Sequence, residues 1–235
     1  MGRAQARAFH PMSCAAMLLA RALETTNLRS RVGAAGVHAP SLVIFAHGSG
    51  SSRFSARNRF VAGVLGEGGL ATLLVDLLTA EEERIDALTT EHRFDIDLLT
   101  RRLLAATAWA TADSRVGHLP VGYFGSSTGA AAALKAAAHL GDGVSAVVSR
   151  GGRPDLAEGA LADVSAPTLL IVGGADHTVV ALNREALRQL RPPSELSLVP
   201  GATHLFEELG ALEQVAELAR AWLQHFLRAS EPLPH

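Results

Sequence analysis

Gly125-Ser126-Ser127-Thr128-Gly129 is the stretch of sequence that decides the fold of this chain. It follows the apolar run 120–124 and precedes the alanine-rich run 130–140, an order that predicts strand, tight turn and helix. A G-x-S-x-G pentapeptide in that setting is typical of a nucleophile elbow, in which glycines permit a sharp turn and the serine Oγ is exposed above the sheet. Because a serine hydroxyl is a weak nucleophile near neutral pH, the motif predicts that a histidine and an acid follow along the chain.

The composition suits one domain with a sizeable core. The chain has 235 residues, 48% of them apolar, and a formal net charge of −2. This charge gives no electrostatic basis for binding nucleic acid or an acidic membrane surface. The single cysteine, Cys14, rules out a disulfide framework and fits a reducing compartment. No apolar run approaches the roughly 20 residues that span a bilayer, so we predict a cytoplasmic protein.

The first 25 residues carry an ambiguous pattern. Arg3 and Arg7 precede a short apolar run at 14–20, in the order of charge and hydrophobicity that a secretory signal has. The run is short, however, and Arg21 interrupts it. We therefore favour an N-terminal extension at 1–25, helical or disordered, followed by a single folded domain over 26–235.

Short apolar runs alternate with helical patterns along that domain. Their hydrophobicity is continuous rather than alternating, which is typical of parallel strands covered by helices on both faces. Six runs are predicted strands: 41–46, 71–76, 120–124, 144–149, 168–173 and 195–199. Residues 28–37 hold a weaker candidate for a strand at the sheet edge. The pattern predicts a doubly wound, mostly parallel sheet of about 6–7 strands. The short connection from 149 to 168 leaves no room for a large cap domain, so we expect an open site.

Two of these strands are followed by the residues that the elbow requires. Asp176 comes after strand 168–173, and His204 lies in a glycine-containing loop after strand 195–199. Both positions lie at the sheet edge where parallel α/β folds bind ligands. In the predicted roles, His204 takes the proton of Ser127 and later returns one to the leaving group, while Asp176 fixes the imidazole tautomer. His177, beside Asp176 in sequence, is a competing base that we disfavour because it precedes the last strand.

The loop 47–52, His-Gly-Ser-Gly-Ser-Ser, follows the early strand 41–46. Acyl transfer needs two backbone N–H groups aimed at the developing oxyanion, one from the residue after the nucleophile and one from such a loop. We predict that Thr128 and Ser49 supply them, with Gly50 close behind. A flexible surface loop and a phosphate cradle are the alternatives. The loop lacks the lysine of a P-loop and the G-x-G-x-x-G spacing, which argues against nucleotide binding.

Gly50, Arg53 and Arg150 are weaker candidates for binding substrate. A guanidinium at Arg53 could hold a substrate carboxylate in a bidentate manner, although a solvated helix turn is the simpler interpretation. Arg150 follows strand 144–149 at the same sheet edge and could line the acyl or leaving-group pocket. The remaining histidines show no ligand spacing, so we predict no metal and no cofactor.

Four motifs together resemble the α/β-hydrolase superfamily, and more closely its small dienelactone hydrolase-like members: HGSGSS (47–52), GSSTG (125–129), APTLLIVGGADHTV (166–179) and GATHLFEE (201–208). The resemblance covers about residues 41–228 and implies a cytosolic hydrolase with a Ser-His-Asp triad acting on esters. True dienelactone hydrolases use a cysteine nucleophile, whereas this chain has Ser127, which favours a general carboxylesterase. Relatives of this group also occur joined to phosphoribosyltransferases.

The sequence therefore predicts a serine esterase that cleaves small or short-chain carboxylic esters, with a small-molecule substrate and no nucleic-acid or membrane partner. Several alternatives stay open. The same triad serves acyltransferases, thioesterases and lactonases, and a C–C bond hydrolase is a further rival. A non-catalytic binding module with this fold is the alternative of another class, which the presence of all three triad residues disfavours. The sequence also leaves a homodimer open.

Overall fold

A computed structural model describes residues 31–33, 40–191 and 193–227. The predicted N-terminal extension at 1–25 lies outside these residues, as does most of the weak strand candidate at 28–37.

Seven strands form one open sheet in the described part of the chain. Their spatial order is β1-β3-β2-β4-β5-β6-β7, and their bounds are β1 (Arg31–Gly33), β2 (Leu42–Ala46), β3 (Ala71–Val75), β4 (Val121–Ser126), β5 (Ala146–Arg150), β6 (Thr168–Gly173) and β7 (Ser194–Val199). Only β1 runs antiparallel to its neighbour β3, and all other pairs are parallel. The prediction of a mostly parallel sheet is confirmed, and β1 occupies an edge within the weak candidate at 28–37.

Within the described residues, five α-helices lie between strands and a sixth follows β7: α1 (Ala56–Glu67), α2 (Ala80–Thr89), α3 (Ile96–Ala112), α4 (Thr128–Leu140), α5 (His177–Gln189) and α6 (Ala211–Phe226). Four of them begin at a side-chain cap that accepts a backbone N–H of the first turn: Ser55, Thr79, Asp95 and Asp176. Such caps satisfy N–H groups that a helix leaves unpaired at its start. Between β5 and β6 the chain holds a short 3₁₀ segment, Pro154–Asp163, and no large cap domain.

Alternate residues of the central strands enter two cores, one on each face of the sheet. Ile44, Tyr123 and Leu170 face the layer that contains α3 and α4. Phe45, Phe124 and Ile171 face the layer of α1 and α6. Because both faces are buried, the strands are continuous apolar runs rather than alternating ones. None of the helices in the described ranges combines the length and hydropathy that a bilayer crossing needs.

Candidate active site

Ser127 lies between β4 and α4 in a backbone conformation that is rare for a residue with a side chain. Its φ is 50° and its ψ is −120°, a strain that costs about 1–3 kcal/mol and persists only when neighbours enforce it. The Ser127 N–H donates to the carbonyl of Arg150 at 3.2 Å, and the Ser127 carbonyl accepts from Ala130 at 3.1 Å. These bonds hold the turn against β5 and α4, which is the geometry of a nucleophile elbow.

The two glycines of the pentapeptide serve close packing rather than the turn itself. A Cβ on Gly129 would lie 2.3 Å from the carbonyl oxygen of Ala46, and one on Gly125 would lie 2.5 Å from Cα of Ala130. Neither glycine has a positive φ. The sequence predicts that the glycines permit the sharp bend. In the structure the strained residue is Ser127, and the glycines make room for β2 and α4 around it.

His204 and Asp176, which are distant in sequence, are in contact. Nδ1 of His204 lies 2.8 Å from Oδ2 of Asp176, while Oδ1 of Asp176 accepts the Val179 N–H at 3.3 Å as the cap of α5. With Nδ1 bonded to the carboxylate, Nε2 of His204 remains as the candidate base. His177 is the exposed first residue of α5, and it is His204 that pairs with the acid.

Hydrogen bonds between Thr203 and Glu208 join the two sides of the loop that carries His204. Thr203 donates its N–H and its hydroxyl to Oε1 of Glu208, at 3.0 and 2.6 Å. The hydroxyl bond is the main reason that the pKa of Glu208 lies below its usual range. Gly151 borders the imidazole, since a Cβ there would lie 3.5 Å from Cε1 of His204. It follows Arg150, whose carbonyl accepts the Ser127 N–H. The imidazole therefore sits beside the segment that fixes the elbow.

The loop 47–52 packs directly on the elbow. A Cβ on Gly48 would lie 3.0 Å from Cβ of Ser127, and the hydroxyls of Ser49 and Thr128 are 3.1 Å apart. In the described part of the chain, the backbone N–H groups of Ser49 and Thr128 donate to no protein acceptor. Two unpaired donors next to the serine are the arrangement that an oxyanion requires.

His47 anchors this loop, a role that the sequence does not reveal. Its Nε2 accepts the Leu77 N–H at 2.9 Å, so Nδ1 carries the proton and donates to the Gly48 carbonyl at 3.0 Å. Burial lowers the pKa of His47, and the bond to Gly48 offsets this only in part. A neutral imidazole thus links the end of β3 to the start of the loop. The His-Gly pair is visible in the sequence, but its partner at Leu77 is not.

A cavity of about 310 Å³ opens beside the loop. Its lining combines hydroxyl groups of the loop with apolar and charged side chains from the segment after β3, from α2 and from the start of α3: His47, Gly48, Ser49, Gly50, Ser51, Ser52, Leu78, Glu83, Asp86, Ala87, Arg93, Leu99 and Thr128. The volume is at the lower end of the range typical of small-molecule sites, about 300–1,000 Å³.

The cavity includes one of the three weaker candidates for substrate binding. Gly50 lines it. Arg53 does not, and its guanidinium already forms an ion pair with the carboxylate of Asp76. Arg150 is 9% exposed, with its guanidinium carbon 5.8 Å from the centre of the Phe206 ring. Among the described residues, the Arg150 Nε and Nη1 atoms have no hydrogen-bond partner, and burial, followed by the charge of Arg57, lowers the pKa of Arg150 to about 10.

The sheet order, the elbow after β4 and the histidine loop after β7 define an α/β-hydrolase, the class expected from the motifs. The chain belongs to the dienelactone hydrolase family, whose model matches residues 31–228. The structure is similar to that of a dienelactone hydrolase from Anabaena variabilis, with a TM-score of 0.81 and 54% identity over 86% of this chain and 99% of that one. The family match and this similarity together support a hydrolase.

Two further similarities bear on this conclusion. The chain resembles Est1E from Butyrivibrio proteoclasticus, solved with ferulic acid bound, with a TM-score of 0.72 but 17% identity over 86% of this chain and 96% of that one, a likeness of fold alone. It is also 59% identical over 181 residues to a Mycobacterium tuberculosis protein provisionally named a phosphoribosyl transferase. That match covers 77% of this chain, which spans about 40% of the length of the curated relatives it matches.

Proposed function

We propose that this chain hydrolyses carboxylic esters through an acyl-enzyme on Ser127. The observation that carries the proposal is the 2.8 Å contact between His204 and Asp176 at the same sheet edge as the strained elbow. Ser127 Oγ bonds to the acyl carbon as its proton passes to Nε2 of His204, and the leaving alcohol departs with that proton. Water then repeats the cycle on the acyl-enzyme and releases the acid.

Ser49 and Thr128 are the proposed oxyanion donors. Their unpaired N–H groups flank the elbow, and Gly48 keeps the loop in contact with Ser127. A donor of this kind typically supplies on the order of 3 kcal/mol of transition-state stabilisation. His47 is a positioning residue here, since it holds the loop through Leu77 and Gly48 without facing the proposed reacting atoms.

Small esters are the proposed substrates, because no large cap is present in the described ranges and the adjoining cavity is about 310 Å³. The name of the longer M. tuberculosis relative suggests another activity, phosphoribosyl transfer. We assign a hydrolase activity to the segment of that relative that aligns with this chain, because the dienelactone hydrolase family match at 31–228 spans most of this chain. Transfer of the acyl group to another acceptor is the second candidate, since it uses the same residues.

The test is turnover of p-nitrophenyl esters from acetate to laurate by the wild type and by Ser127→Ala. We expect hydrolysis that is fastest on the short esters and is reduced at least about 10³-fold in the variant. Parallel assays use thioesters, lactones and an added alcohol acceptor. They distinguish ester hydrolysis from the second candidate, transfer of the acyl group to another acceptor. Turnover that persists in Ser127→Ala, or that is fastest on laurate, would contradict the proposal.

A further inference from the structure

We propose that the cavity beside the loop 47–52 is the acyl pocket and that it accepts short, uncharged acyl groups. This rests on the proposed function, because it assigns one half of the ester to a named part of the same site.

The position of His204 decides which half of the ester enters the cavity. The imidazole must give its proton to the leaving alcohol, so the alcohol has to lie on the His204 side of Ser127. The cavity is lined by the oxyanion loop, α2 and the start of α3, and by no residue of the loops that carry Asp176 and His204. With the carbonyl oxygen held at Ser49 and Thr128, the group that points into the cavity is the acyl chain.

The lining offers both polar and apolar surface to a bound acyl group. Hydroxyl groups of Ser49 and Thr128 lie where the carbonyl would bind, and Leu78, Ala87 and Leu99 add apolar side chains to a lining that also includes charged groups. Burying an alkyl chain against such a wall is worth about 0.8 kcal/mol per methylene group. The small volume limits how many methylene groups gain this energy.

The wall contributed by α2 is fixed by charged contacts. Asp86 on α2 is buried and accepts hydrogen bonds from Nε and the backbone N–H of Arg93, both at 2.8 Å. Arg102 of α3 donates to Glu82 at 2.8 Å, and Glu82 completes a capping box with Thr79. Because α2 is held near both of its ends, this wall cannot move readily to admit a longer acyl chain. We therefore infer a sharp limit on the length of the acyl chain.

The charges of the lining disfavour an acidic acyl group. Glu83 and Asp86 line the cavity together with Arg93, and Arg93 is already paired with Asp86. Glu83 is the remaining carboxylate of the lining, and the nearest cation that acts on it, Arg53, lies outside the lining and is already paired with Asp76. A terminal carboxylate on the acyl chain would meet a like charge, whereas a neutral alkyl chain would not.

The test of length uses Ala87→Leu, which fills the pocket, and Ala80→Leu, the same change at an exposed position of α2 outside the lining. One substrate series varies the acyl chain on p-nitrophenol, and the other varies the alcohol of alkyl acetates. For Ala87→Leu we expect kcat/KM for hexanoate to fall at least tenfold relative to acetate, with an unchanged profile across alcohols. A changed alcohol profile, or no change in either series, would overturn the assignment.

The test of charge uses Glu83→Gln, with Glu81→Gln on the exposed side of the same helix as control. We expect Glu83→Gln to raise kcat/KM for p-nitrophenyl hemisuccinate at least threefold relative to butyrate, and Glu81→Gln to change neither. An unchanged ratio in Glu83→Gln would overturn the charge argument.

Failure of the ester-hydrolase proposal itself would look different. It would show as absent ester turnover in the wild type, and the pocket would then be tested by the rate at which methyl- and hexyl-substituted fluorophosphonates label Ser127. Ala87→Leu should slow only the hexyl reagent, and equal slowing of both would overturn the pocket.

Discussion

A Cβ atom on Gly48 would stand 3.0 Å from Cβ of Ser127, so the loop 47–52 contacts the proposed nucleophile with no space for a methyl group between them. The same Cβ would also lie 3.0 Å from the carbonyl oxygen of Ser126. Backbone and side chain of the elbow thus set the position of the loop.

This contact predicts that Gly48→Ala displaces the oxyanion loop. Turnover should fall about 10²–10³-fold, as it does when one oxyanion donor is lost, and overpacking should lower the free energy of unfolding by about 1–3 kcal/mol. Gly63→Ala is the matched control, because a Cβ there meets nothing within 4 Å on α1. That change should leave turnover intact and stabilise the helix by about 0.5–1 kcal/mol. Steady-state kinetics and urea unfolding measure both, and equal kinetics for the two variants would contradict the expectation.

Asp176→Asn should separate the proposed catalytic role of this side chain from its structural role as a helix cap. Asparagine keeps the cap on Val179 but cannot stabilise an imidazolium at His204, so kcat should fall by about 10⁴-fold. The free energy of unfolding should change by less than about 1 kcal/mol. Asp113→Asn, the same change at the far end of α3, removes a charge that is paired with Arg115 and should leave kcat unchanged. A kcat within tenfold of the wild type for Asp176→Asn would contradict the proposed role.

The buried His47 predicts a pH dependence of stability. Burial lowers its pKa in the folded state below the usual 6.5, so the unfolded chain takes up a proton at a higher pH than the folded protein does. The stabilisation is therefore complete above about pH 6.5 and is lost as the pH falls through the window below it. His47→Gln keeps an acceptor for Leu77 without a titrating group, so its unfolding free energy should fall less between pH 6.5 and 5. Urea unfolding at several pH values tests this, with the exposed His139→Gln as a control that should keep the wild-type slope.

The burial of the Arg150 guanidinium predicts that removing its charge raises the free energy of unfolding. Two of its N–H groups are buried without partners, and Arg57 adds a like charge nearby. Arg150→Met removes these costs, so the free energy of unfolding should rise by about 1–3 kcal/mol. Arg153→Met, which loses a partly exposed ion pair with Asp155, should change it by less than about 1 kcal/mol. Marked destabilisation of Arg150→Met in urea would contradict this.

The central strands are predictable from the sequence because both of their faces are buried, which makes them largely apolar runs, whereas β7 lies at the sheet edge and buries only Val199. The six predicted runs differ from the observed strands by at most two residues at either end. The candidate triad was accessible for a related reason. Ser127, Asp176 and His204 each follow a strand, and the carboxyl ends of parallel strands meet at one edge.

Contacts between side chains from different loops could not be predicted in this way. The partner of His47 is a backbone N–H at Leu77, and the partner of Arg53 is Asp76, both at the end of β3. Each contact depends on how a loop folds over the neighbouring strand, which leaves no periodic pattern in the sequence.

Covalent labelling of Ser127 tests the proposed chemistry most directly. Purified protein is treated with a fluorophosphonate, digested and mapped by mass spectrometry, with Ser127→Ala and His204→Gln treated in parallel. We expect one phosphonylated residue, Ser127, no labelling of Ser127→Ala, and labelling of His204→Gln slowed by at least about 10²-fold because the base is missing. An unlabelled wild type, or a label on another serine, would show that Ser127 is not an activated nucleophile and would favour a binding module with this fold.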